Sequence, residues 1–275
     1  MNRDDRLIIP IFISGLLTIP MKPLNLLLLA FCFSLSSALF AQTPKQIEDD
    51  LVKSYKKIEY YSQKNDYDKT AAVNKEFETK LKSYTEKTPA TLTYPFKALK
   101  KANVDVSTST DGLFRIYSWD TESGGTMHFF ENIMQFKTGT ITKAILDKPD
   151  GEAVNNYNYN KIYSFRVNDK VYYLARYLMI GSTKDVSDGI HIFAIENGKI
   201  TDAKIIKTRS GLHSDLSYDY DFGSVIDIDY DKRPGPRFDE KTNIIYLPLV
   251  DGNNQMTNKF ILYKFTGQYF EKVKN

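Results

Sequence analysis

From Val104 to the C-terminus, apolar residues recur at about every second position, and no helical pattern separates one run from the next. Parallel neighbours need a crossover of a dozen or more residues, usually helical, whereas antiparallel strands join through tight turns. The region therefore predicts an antiparallel β-meander of about 11–12 strands over 104–275. Leu113 to Trp119 is rich in β-formers. Further strands are expected near 126–137, 140–146, 161–167, 170–180, 190–196, 199–207, 224–230, 243–250, 259–265 and 268–273. Asn168-Asp169, Asn197-Gly198 and Thr266-Gly267 are the turns between them. Asn-Gly is the strongest, because both residues tolerate positive φ. Pro248 cannot donate to a ladder, so its strand is expected at an edge or with a bulge.

A weak repeat runs through this region. Ile133 to Ile141, Ile192 to Ile200 and Ile261 to Tyr269 are each an apolar strand, a turn with glycine at the same place (Gly139, Gly198, Gly267), and a second strand. Three meander units of three or four strands would produce it, as would chance similarity between hairpins. The pattern leaves propeller-like, barrel and sandwich arrangements open.

Residues 42–103 have a different period. Thr43-Pro44-Lys45-Gln46 reads as a capping box with proline at the first helical position. Ile47, Leu51, Tyr55 and Ile58 share one helical stripe, and Val73, Phe77, Leu81 and Tyr84 share a second, after the turn at Asn65-Asp66. A short third helix is expected over 95–102. The fold class is thus α+β and mainly β, with an N-terminal helical hairpin that either docks on the β region or meets a partner.

Residues 1–41 read as an upstream segment plus a signal peptide. Met21-Lys22 begins a basic n-region, Leu24 to Leu35 is an apolar h-region, and Ala38 and Ala41 end small-residue cleavage sites. Leu7 to Ile19 is a second apolar run, interrupted by Pro10 and Gly15 and short for a membrane span. Translation from Met21 accounts for it, and an uncleaved anchor is the rival. The expectation is a periplasmic or secreted protein with no membrane span in the mature chain. Leader and composition together resemble those of exported bacterial proteins.

Lys plus Arg number 37 against 34 Asp plus Glu, a net +3, which makes no case for a nucleic-acid binder. The single cysteine, Cys32, lies in the leader, so the mature chain has no disulfide, thiol nucleophile or cysteine metal site. The usual nucleophile-elbow, phosphate-loop and zinc-helix signatures are absent. The histidines, His128, His191 and His213, are scattered.

Two places carry candidate chemistry. Trp119, Asp120 and His128 flank the turn at Gly124-Gly125, where a flat apolar ring could meet polar groups, as ligand sites require. A buried tryptophan beside a turn-capping aspartate is the structural alternative. Asp215, Asp219, Asp221, Asp227, Asp229 and Asp231 crowd seventeen residues. On a strand, Asp227, Asp229 and Asp231 would share one face, either solvated, paired with Arg233 and Arg237, holding a calcium ion, or acting as catalytic carboxylates. Lys232 stands where a calcium loop needs glycine, so the loop pattern fails and no metal is assigned. Tyr157, Tyr159, Tyr163, Tyr172, Tyr173 and Tyr177 crowd two adjacent strands, and suit either a binding surface or a strand core. The expectation is a non-enzymatic binding protein whose partner is a protein or glycan of the cell envelope. The alternative is a cell-envelope or glycan hydrolase with its carboxylates in 215–231.

Overall fold

The computed structural model describes residues 42–147, 156–229 and 232–274. They form a helical hairpin followed by antiparallel sheets.

Helix α1 (Pro44–Ser62) starts at the capping box: Gln46 N donates to Thr43 Oγ1, and Thr43 N donates back to Gln46 Oε1. Its stripe of Ile47, Leu51, Tyr55 and Ile58 is fully buried. Asn65, at positive φ, turns the chain into α2 (Tyr67–Lys87), whose first turn is capped by Asp66. The third helix, α3 (Lys97–Lys101), is short and starts after Phe96, itself at a positive φ of 44°. Its cap comes from far away. Glu48 of α1, 2% exposed, accepts from Ala98 N (2.7 Å), Leu99 N (3.2 Å) and the Tyr94 hydroxyl (3.0 Å). A carboxylate there satisfies N–H groups that no helical turn can reach.

Fifteen strands follow among the described residues, in three sheets. The first holds β1 (Asp105–Thr108), β2 (Phe114–Asp120), β3 (Phe130–Thr138) and β4 (Ile141–Leu146) in chain order. The second holds β5 (Asn158–Val167), β6 (Lys170–Ile180), β7 (Asp185–Glu196) and β8 (Lys199–Asp202), and β11 (Asp215–Asp221) also pairs with β7. The third is built on β12 (Arg237–Asp239), β13 (Ile244–Val250), β14 (Met256–Phe265) and β15 (Phe270–Lys272), extended by β9 (Ile206–Thr208) and β10 (Gly211–His213). Every sheet thus contains a four-stranded meander. Gly139, Gly198 and Gly267, all at positive φ, lie between its third and fourth strands. All pairings are antiparallel except β15 with β9. The predicted strand over 199–207 is two: Ala203 N bonds Ile192 O in the second sheet, and Phe270 N bonds Ile205 O in the third, so the chain changes sheets between them. Among the described residues, no sheet closes on itself.

The layers stack through shared cores. The helices pack on Tyr117, Trp119 and Ile133 of the first sheet. Phe114, Ile116, Met134 and Phe136 on its other face meet Tyr159, Tyr173, Tyr177 and Phe193 of the second. Leu174, Ile190, Ile192 and Phe165 meet Phe238, Ile245, Leu247 and Phe270 of the third. Sheets covered on both faces lose the polar half of the alternation, which is why β2 is buried from Phe114 to Trp119. Of the crowded tyrosines, Tyr159, Tyr163, Tyr173 and Tyr177 are core residues for the same reason, and Tyr157 and Tyr172 are half-buried against them. Pro248 sits at a register shift in β13 and beyond the three residues of β13 that pair with β12, so it has both the irregularity and the locally one-sided pairing that a proline tolerates.

The expected strand over 224–230 does not form. Phe222–Ser224 is a 3-10 turn, and a further turn follows in which Ile228 N bonds Val225 O. Val225 is 1% exposed and pins this segment against Val186 and Tyr220. Burying that one side chain fixes a turn where alternation alone suggested a strand. The strand carrying aspartates at alternate positions is β11, and neither the calcium-loop nor the shared-face arrangement of Asp227 and Asp229 exists. Asp231 lies outside the described residues.

Candidate functional site

The third sheet covers only part of the second. Beyond its edge, one face of β6 (Arg176, Leu178, Ile180) and of β7 (Val186, Asp188), with Tyr220 of β11, floors a cleft of about 540 Å³. Phe222, Ile226, Arg233 and Pro234 line it from the turn segment, and Gly125, Thr126 and His128 from the β2–β3 loop. Its size is within the range of sites for small organic molecules, and its lining has their usual character: mostly apolar, with a few converging polar groups.

Those polar groups are held in place. Asp188 is 1% exposed and takes Arg176 at two points, Nε to Oδ1 (3.2 Å) and Nη2 to Oδ2 (2.7 Å). Burial pushes its carboxyl above the ordinary value, against the pull of Arg176. Gly235 passes so close to this guanidinium that a Cβ there would collide with it. Asn160 also lines the cleft. It is the residue skipped where the β5–β6 register shifts between Tyr159 and Lys161, and such a bulge re-aims a side chain.

The β2–β3 loop is fixed at both ends. Thr121 N bonds Phe129 O, and His128 N bonds Ile180 O at 3.1 Å, tying the loop to the end of β6. Gly124 cannot carry a side chain, because a Cβ would overlap Met127 O, while Gly125 faces open space. Asp120 uses both carboxylate oxygens: Oδ1 accepts from Glu122 N (2.8 Å) and Oδ2 holds His128 Nδ1. An imidazole anchored through Nδ1 keeps Nε2 for other partners.

The candidates from the sequence separate as follows. His128 and Arg233 line the cleft, and Asp120 orients His128. Trp119 is fully buried, edge-on to Phe77, its Nε1 donating to Asn74 Oδ1. Its ring is core and not part of the cleft. Arg233 donates Nε to Ile228 O (2.9 Å) and lies over the Phe222 ring. Arg237 is on the outer face of the third sheet, its guanidinium 4.2 Å from the Tyr246 ring and 4.5 Å from that of Phe260, and it makes no ion pair among the described residues. Asp229 pairs with Lys232 in an exposed turn, and Asp227 is exposed beside it. His191 bonds Asp202 and stacks on Phe193. Among the described residues, no three His, Cys, Asp or Glu side chains gather as metal ligands would.

Sequence reasoning missed Arg176 and Asp188. Their signal was present: a charged residue inside an apolar strand such as Tyr172 to Leu178 needs a buried partner. Which partner is a matter of register.

A second hollow, about 460 Å³, is lined by Asp185, Asp219 and Asp221 with Lys184 and Asn254. Each aspartate already has a local partner: Ser182 with Asp185, Ser187 with Asp219, and Gly223 N with Asp221. Among the described residues, no helix is long and apolar enough to cross a membrane. No protein-family model matches the chain, and no curated protein matches it in sequence.

Proposed function

We propose that this chain is an exported binding protein whose ligand occupies the cleft between β6, β7 and the β2–β3 loop. The observation that carries the reading is the cleft's make-up: an apolar floor on rigid strands, with Arg176, Asp188 and His128 held by their own bonds. Sites placed on strands and supported in this way are preorganised. Export rests on the basic, apolar and small-residue sequence of 21–41. The ligand would then be a molecule of the cell envelope or its surroundings. The three meanders, each with its glycine between third and fourth strands, support an open, propeller-like stack of blades.

The test uses Gly125, whose missing side chain faces open space at the cleft. Gly125→Trp should fill the cleft without disturbing the fold. Nile red, a neutral dye that brightens in apolar surroundings, should bind the natural protein and not the variant. Equal binding by both overturns the cleft as ligand site. For export, N-terminal sequencing of the cell-fractionated protein should find a start near Leu39 or Gln42. A full-length chain in the cytoplasm sinks that part.

The hydrolase reading retains one supporting observation: Asp219 and Asp221 share the second hollow with Asp185. Its carboxylates would be those, and not Asp227 or Asp229. Loss of a glycan-hydrolysing activity in Asp219→Asn, with the fold intact, would favour it over binding alone.

A further inference from the structure

We propose that the cleft takes an uncharged ligand with an apolar body and a polar group at each end: an amide at the Asn160 end and a hydroxyl at the His128 end. The inference rests on the cleft being the ligand site and names the class of ligand. Two features carry it. The first is which polar groups of the lining the protein already uses. Arg176 and Asp188 hold each other at two points, and Arg233 bonds Ile228 O and lies over the Phe222 ring. These charges are committed within the protein, and a charged head that leaves water for the cleft needs a partner of its own. Two neutral groups are not committed. Among the described residues, the Asn160 amide makes no hydrogen bond to the protein, and His128 uses only Nδ1, on Asp120. Asn160 is half-buried on a strand, where a polar side chain without a partner needs an explanation. A ligand amide supplies one, because each of two facing amides can donate to and accept from the other. His128 Nε2 accepts from a hydroxyl when the ring is neutral and donates to one when it is charged, so a hydroxyl suits both states.

The second is where the two groups stand. The β5 bulge sets Asn160 beside Arg176 and Tyr177 of β6, and His128 N is bonded to Ile180 O. About three residues of β6, or roughly 10 Å of strand, therefore separate the two ends. Leu178 lies between them, and Ile180, with Val186 opposite it, continues the apolar stretch toward His128. Asp188 lies opposite Leu178 with both carboxylate oxygens on Arg176. The ligand body rests on the three aliphatic side chains, and its two ends reach groups that the protein leaves unpaired.

The experiment measures displacement of Nile red from the natural protein by five compounds: decanamide with a hydroxyl on its far carbon, decanamide itself, decanol, and the hydroxydecanoate and hydroxydecylammonium ions. A cleft that only gathers apolar surface ranks the uncharged three by hydrophobicity and takes the hydroxyamide worst, since the cost of its additional polar group is not recovered. The reverse order is expected here. The hydroxyamide should bind about fivefold more tightly than decanamide or decanol, the worth of one matched polar group in each case. Both ions should bind at least about tenfold more weakly than the hydroxyamide. Asn160→Leu should remove the advantage over decanol and keep that over decanamide, and His128→Phe should do the opposite. The ranking on the natural protein needs no variant to fold. A ranking by hydrophobicity, or tighter binding of either ion, beside Nile red binding that Gly125→Trp blocks, overturns the uncharged hydroxyamide and leaves the cleft as a ligand site. An Asn160→Leu protein that keeps the full advantage over decanol overturns it as well. Nile red binding unaffected by Gly125→Trp overturns both.

Discussion

Asp188 is almost wholly buried, whereas Arg176, its partner across the β6–β7 ladder, keeps a quarter of its side chain exposed at the cleft. The pair is therefore one-sided: the carboxylate depends on the guanidinium, which in turn faces the cleft. Removing the arginine should cost about 3 kcal/mol, the lower end for breaking a buried pair, because solvent reaches this one. Burial already raises the Asp188 carboxyl above 3.8, so its contribution to stability is fullest below that pH and falls as pH climbs through the raised value. In Arg176→Ala the opposing pull is gone and the fall should steepen. Urea unfolding at a series of pH values from about 4 to 7 measures this. A pH-independent loss of stability in Arg176→Ala would count against it.

Glu48 holds α3 to α1 with a single carboxylate. Glu48→Ala should cost on the order of 2–3 kcal/mol, since hydrogen bonds to a charged acceptor are stronger than average and the Leu99 amide left behind is buried, with that of Ala98 half-buried. Hydrogen exchange should show Ala98 and Leu99 losing protection before the strands do. Protection unchanged at both amides would mean the cap contributes nothing.

The glycines divide into two groups. Gly198 sits at φ 71° in a hairpin turn after Asn197 at φ 50°, so Gly198→Val should cost roughly 1–3 kcal/mol. At Gly189 a Cβ would come 2.6 Å from the Tyr177 ring and 2.7 Å from Leu216 O, and Gly189→Ala should cost a similar roughly 1–3 kcal/mol through overpacking. Gly125→Ala, in open space, should stay within about 0.5 kcal/mol. Melting temperatures of the three variants settle the ranking.

Buried phenols set the alkaline limit. Burial pushes Tyr117 up to about 12 and holds Tyr55, Tyr173, Tyr177 and Tyr218 higher still. A raised phenol favours the fold below its ordinary value of 10.0, and that stability is lost as pH rises from there through the folded value. Phenolate absorbance should therefore rise in two phases, exposed tyrosines first and the buried set together with unfolding. A single smooth titration of all 19 tyrosines in a folded protein would contradict the packing.

Calcium should leave the melting temperature unchanged. Asp229 is tied to Lys232 in a turn where both side chains are about three-quarters exposed, so Asp229→Asn should move stability by less than about 0.5 kcal/mol. A melting temperature that climbs with the logarithm of calcium concentration, and ceases to do so in Asp229→Asn, would reverse this.

Local rules determined a large part of this protein. The stripe from Ile47 to Ile58, the capping box at Thr43 and the hairpin glycines at 139, 198 and 267 are each specified within a few residues. Helical period, cap chemistry and positive φ act over that range. The antiparallel sense of the meanders follows from turns too short for crossovers. Tertiary structure decided the rest. Whether Tyr173 is a surface or a core residue depends on a second sheet covering its face. Whether 224–230 is strand or turn depends on Val225 finding Val186 and Tyr220. The cleft depends on where the third sheet stops covering the second, and the Arg176–Asp188 pair on the register of β6 against β7. Contacts between elements distant along the chain leave no period behind them, because any strand of similar pattern could have supplied the same face.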